Sequence, residues 1–138
     1  MPVQALFDEI LRRFKGDDLR EVYPSFDAVP VSRKSDALFT VIQPESVQLD
    51  APFPDGSSGA FPFSAVYLVS VLIPMTAPLS RAEDFFYDAA LPRMESLGSV
   101  LCEVRPAHVD VKLGRVVMEG RFRLRGVFLG EEAAACTM

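Results

Sequence analysis

The strongest pattern in the chain is the run Phe61–Ile73, closed by Pro74. Phe63, Ala65, Tyr67, Val69, Val71 and Ile73 share one parity, and Val66, Leu68 and Leu72 share the other, interrupted by Ser64 and Ser70. Side chains alternate across a strand, so this segment is apolar on both faces. Its β-branched and aromatic residues suit a pleated surface. Such a strand belongs in the middle of a sheet, with at least one face covered by helices.

Helical spacing precedes it. Val3, Leu6, Phe7, Ile10, Leu11 and Phe14 form one apolar stripe, with Gln4, Asp8, Glu9, Arg12 and Arg13 opposite, which predicts a helix over 3–15 that lies on the sheet. Gly16 is its natural left-handed stop. The stretch 17–37 is broken by Pro24 and Pro30 and reads as a connection, with room for a helical turn at 18–22. A strand begins at Leu38–Ile42, is broken by Gln43-Pro44-Glu45, and its alternation resumes at Val47 and Leu49; proline in a strand implies an edge, a bulge or an end. Residues 50–62 hold Pro52, Pro54, Gly56, Gly59 and Pro62, which is turn chemistry throughout. Loops of that length are commonly functional or disordered.

After the central strand, Ser80 and Glu83 have capping-box spacing. Ala82, Phe85, Phe86, Ala89, Ala90, Met94 and Leu97 then keep a helical period, with Pro92 inside it. Proline removes a hydrogen bond and crowds the preceding turn, which predicts a kink near 88–91 or two short helices. Val100–Arg105 reads as a strand stopping at Pro106, Val109–Leu113 alternates again, and Gly114-Arg115 reads as a tight turn. In the last strand, 116–129, Val116, Met118, Phe122, Leu124 and Phe128 face one side, and Glu119, Arg121, Arg123 and Arg125 the other. Gly120 and Gly126 lie on the apolar side, where they permit bending or close approach. The fold expected is α+β: a single, mostly antiparallel sheet with the N-terminal and central helices on one face, in α-β-β-α-β-β order. Residues 1–130 form one domain and 131–138 a flexible tail.

Composition narrows the function. The formal net charge of −5 over 138 residues argues against sequence-specific nucleic-acid binding by broad phosphate neutralisation. Cys102 and Cys136, with a single histidine, His108, lack metal-ligand spacing and read as reduced thiols. The N-terminal stretch is amphipathic rather than a basic run followed by an apolar core, so no signal peptide is expected, and the longest apolar run is too short to span a bilayer. No phosphate loop or catalytic arrangement is present, so neither enzymatic activity nor a cofactor is expected.

Two groups remain as candidates for contact with other chains. Arg121, Arg123 and Arg125 leave one face at strand spacing; they pair across strands with Glu103, Asp110 and Glu119, or they form a subunit interface. Phe53, Phe61 and Phe63 flank the long loop, where they lid the core or anchor a partner.

Taken together, the amphipathic first helix, the strand running into a long loop, the strand Phe63–Ile73, the capped helix Ser80–Leu97 and the strand pair Val100–Leu129 resemble the tail-terminator (tail-completion) and head–tail joining proteins of long-tailed phages. The likeness covers residues 3–129 and is one of order and pattern. It implies a structural virion or prophage protein, made in the host cytoplasm, whose subunits form a homo-oligomeric, hexameric ring capping the tail tube and facing the head connector protein. It also implies sheets that join across subunits and no covalent chemistry. The Pro92 kink and the proline-dense loop depart from the family's pattern. The runner-up is an acidic dimeric secretion-type chaperone with an apolar groove for its client; a small-molecule-binding or enzymatic domain ranks third, since it needs convergent polar groups in a pocket.

Overall fold

A computed structural model describes residues 2–16, 22–25, 38–49, 60–129 and 136–137. Among these, the elements are α1 (Pro2–Lys15), β1 (Val22–Tyr23), β2 (Phe39–Leu49), β3 (Ala60–Pro74), α2 (Leu79–Phe85), a π-helical turn (Phe86–Ala90), α3 (Leu91–Ser96), β4 (Val100–Asp110), β5 (Arg115–Leu129) and β6 (Cys136–Thr137). They form an α+β fold with one sheet, ordered β1-β2-β3-β5-β4, and β6 pairs with β5. All pairings are antiparallel except β1 with β2.

β3 is the central strand. β5 pairs along its whole length, from Ala60 opposite Leu129 to Pro74 opposite Arg115, and β2 pairs along its other edge. Phe63, Ala65, Tyr67, Val69, Val71 and Ile73 are all buried. They meet the stripe of α1, the inner residues Ala82, Phe86, Ala90, Met94 and Leu97 of the helical segment, and Val116, Met118, Phe122 and Leu124 of β5 in one core. Phe7 of α1 stacks on Tyr67 with ring centroids 6.0 Å apart. α1 ends at Gly16, whose φ of 56° lies in the left-handed region and whose N–H closes the last turn on the Arg12 carbonyl.

Both helical layers lie on one face. The opposite face carries a smaller cluster at one end, Phe39, Val41, Leu72 and Val117 with Tyr23 against them. Arg115 is buried there with its guanidinium 4.7 Å from the Phe39 ring centre.

Several expectations are corrected. The Ser80–Glu83 capping box does not form: the helix starts at Leu79 with Pro78 as its cap and no capping side chain. Pro78, with φ −68° and extended ψ, already supplies the entry geometry, which leaves Ser80 inside the first turn. The irregularity expected ahead of Pro92 is present: two short helices, α2 and α3, are joined by the π-helical turn Phe86–Ala90. The turn before it widens, the Leu91 N–H reaches back to the Phe86 carbonyl, and α3 follows directly. A π turn shifts the hydrogen-bond ladder ahead of a proline, and such turns are among the causes of helix kinks. β4 runs on through Pro106, with register shifts between Leu101 and Glu103 and between Arg105 and His108; as an edge strand it tolerates the missing donor. Gln43-Pro44-Glu45 is absorbed by a bulge in a continuous β2. Val22, at the end of the helical turn considered for 18–22, lies in β1; residues 17–21 fall outside the described set. Cys136 and Thr137, expected in a flexible tail, pair with Phe128 and Val127.

Thr40 lies on the helix-covered face, opposite Val71, and is fully buried. Its Oγ1 has no hydrogen-bond partner among the described residues. A buried hydroxyl without a partner costs about 1–3 kcal/mol of desolvation. Thr40→Val keeps the shape and removes the hydroxyl, so we expect it to raise the unfolding free energy by about 1 kcal/mol. A urea titration checks this: the midpoint rises while the slope stays constant.

Candidate functional site

The sheet face turned away from the helices is built by parity. β5 sends Val117, Glu119, Arg121, Arg123 and Arg125 to this side, opposite Leu72, Ser70, Leu68, Val66 and Ser64 of β3. The bulge in β2 brings Ser46 and Gln48 beside Val66 and Ser64. On β4, the register shift between Leu101 and Glu103 sets Val100 opposite Arg123 and Glu103 opposite Arg121. One extra residue in a strand flips everything beyond it to the other face. Val100 and Leu101 alternate before the shift, so Leu101 packs on the core while Val100 is 65% exposed, and the shift then returns Glu103 to the side of Val100.

Along this face the chemistry changes in steps. At one end Val117 and Leu72 are buried in the small cluster. Next, Glu119 faces Arg105 at 3.9 Å. Then Arg121 is clamped from both sides: its Nε donates to the two carboxylate oxygens of Glu45 at 2.7 and 2.9 Å, and its Nη1 donates to Glu103. The hydrogen bond to Glu45, ahead of every other influence, holds the guanidinium above its ordinary value. Beyond it, Arg123 and Arg125 are exposed, and neither has an ion-pair partner among the described residues. Around them Ser46, Gln48, Ser64 and Val66 line an open depression of about 700 Å³. A second hollow of about 290 Å³ lies on the β4 side, bounded by Gly98, Val100, Cys102 and the same two arginines.

The three arginines expected on one face are therefore together there, in two different states. Of the three carboxylates expected to pair with them, Glu103 does so. Glu119 meets Arg105 instead, and Asp110 accepts the Leu113 N–H at 3.1 Å. Glu45 was hidden, because its partner lies across β3 and the bulge decides its direction. The aromatic group does not assemble as a docking site among the described residues. Phe63 is 2% exposed within the main core. Phe61 is placed in β3 opposite Phe128, with no description of its side chain, and Phe53 lies outside the described residues.

His108 is half-buried and its Nδ1 lies 3.0 Å from the Pro106 carbonyl. Cys102 is an exposed free thiol. Among the described residues no group of three or more His, Cys, Asp or Glu is placed to hold a metal ion, and no helix is long and apolar enough to cross a membrane. The fold and this face together define a class: a small α+β protein whose described helices lie on one face of the sheet and whose other face carries a basic row. Compared with known families and with curated proteins, the chain matches no family model and no curated protein.

Proposed function

We propose that this chain is a structural subunit that assembles with copies of itself into a ring, of the kind that ends a phage tail tube and meets the head connector. The observation that carries the reading is the sheet face away from the helices, whose arginine row continues past the last carboxylate that pairs with it among the described residues. Two adjacent exposed guanidinia without a carboxylate partner among the described residues flank a partly apolar depression there. An assembling subunit gains partner recognition, since arginine is enriched at interfaces and takes carboxylates in two-pronged fashion. The order of elements read from the sequence, which resembles that of tail-terminator and neck proteins over residues 3–129, supports the same reading.

Light scattering with negative-stain imaging across protein concentration tests the proposal. The expected result is a ring of about six subunits, formed alone at high concentration or on addition of tail tube protein. A strict monomer with no affinity for tube protein would sink it. A stable two-fold dimer that captures extended client segments would move the assignment to a secretion-type chaperone.

A further inference from the structure

The uncovered face has a counterpart elsewhere on the same molecule. The helical segment buries Ala82, Phe86, Ala90 and Met94 and turns Glu83, Asp84, Asp88 and Glu95 to solvent. None of these four acids has an ion-pair partner among the described residues. Of the segment's two basic residues, Arg81, three residues before Asp84, is exposed and makes no ion pair with it, and Arg93 donates to the carbonyl of Phe14 at 2.7 Å, which ties α3 to the end of α1. Tyr87, 44% exposed, stands among the acids. The molecule is thus two-sided, with an acidic ridge outside its helices and a basic row on the far face of its sheet.

We propose that the Arg123–Arg125 depression receives the Asp84–Asp88 ridge of a second copy of this chain, in a head-to-tail contact. The spacings match. Residues two apart on a strand lie ~7 Å apart, and residues four apart on a helix lie ~6 Å apart, so each guanidinium takes one carboxylate. The clamp at Arg121 shows within the molecule how the row is satisfied when carboxylates are present. Ser46, Gln48 and Ser64 add donors around the depression, and Val66 and Val100 offer apolar surface to Tyr87; tyrosine and arginine are the residue types that concentrate interface energy. The two patches lie on opposite sides of the subunit, so the contact is heterologous: a pair of copies keeps one unused patch of each kind, one on each copy, and copies add until the rotation closes or a filament forms. This deepens the assembly reading and rests on it.

Charge reversal tests the contact. Arg123→Glu/Arg125→Glu and Asp84→Arg/Asp88→Arg change exposed positions only, so each variant should keep the wild-type far-UV spectrum and melting temperature. Each alone is expected to weaken self-association roughly tenfold or more, because like charges then face each other. An equimolar mixture of the two is expected to restore assembly, in alternating copies. Wild-type assembly should weaken as salt is raised. Variants that assemble like wild type, or a mixture that stays unassembled, would overturn the contact while leaving a ring through other surfaces standing. Open head-to-tail chains without rings, abolished by either variant and restored by mixing, would uphold the contact and overturn the ring. A wild-type protein that stays monomeric at every concentration overturns both.

Discussion

Phe86→Ala is expected to destabilise the domain by about 3–5 kcal/mol, the range for emptying a buried aromatic site. Phe86 is fully buried and sits in the π turn, at the centre of the helix–sheet contact. Its ring is 6.1 Å from that of Phe122 on β5 and meets the exposed Tyr87 edge-on at 5.4 Å. The site cannot collapse easily. Below it lies the backbone of β5, paired on both edges, and above it a turn already widened to seat Pro92. A denaturant titration at fixed protein concentration measures the loss, because any self-association adds its own stability by mass action. A loss under about 1 kcal/mol would mean that the helical segment packs on β5 differently.

The second large effect belongs to the residue beneath that ring. A Cβ built on Gly120 would lie 2.5 Å from Phe86 Cζ and 2.9 Å from Cε2, with Leu101 Cδ1 at 3.1 Å. Glycine in a strand is ordinarily a weakness, and alanine there normally gains roughly 0.5–1 kcal/mol. Here the sign reverses: Gly120→Ala drives a methyl group into a buried ring and is expected to cost about 1–3 kcal/mol. The ring is the cause, so shortening it should help. In Gly120→Ala/Phe86→Leu the two substitutions are expected to interact favourably, by roughly 0.5–3 kcal/mol relative to their sum. Four unfolding curves close this cycle. Strict additivity would show that the alanine is tolerated by backbone movement rather than opposed by Phe86.

These two positions also show how far local patterns reach. Gly120 breaks an apolar row in the sequence, and close approach was one of its two readings; which ring fills the gap depends on α2 and the π turn crossing β5. Phe86 was legible as a helix stripe residue, whereas the widened turn that holds it was legible only as trouble at Pro92. The arginine row shows the same division. Parity along β5 puts Arg121, Arg123 and Arg125 on one face whatever the neighbours are. That Arg121 is paired and the other two have no ion-pair partner among the described residues follows from two bulges, one in β2 and one in β4, that aim Glu45 and Glu103. A bulge turns on a single residue's dihedrals and leaves no periodic trace. The capping box is the reverse case: the motif is present, but a proline two residues earlier had already set the helix entry. Phe63, offered by its place beside a loop as a possible anchor, went to the core because its parity matches Tyr67 and Val69.

By itself the chain's order of residues determined the α+β class, the central place of Phe61–Ile73, the inward stripe of the first helix and the sidedness of the last strand. Each follows from a repeat of two or 3.6 residues that sorts apolar from polar groups before any long-range contact exists. Only the tertiary structure decided which strand borders which, the parallel pairing of Val22–Tyr23 with β2, the seating of Phe86 over Gly120, and the placing of Arg123 and Arg125, without ion-pair partners among the described residues, on the side away from an acidic helix ridge. Those depend on where distant segments meet in space, and a register shift of one residue exchanges the two faces of a strand without altering its composition.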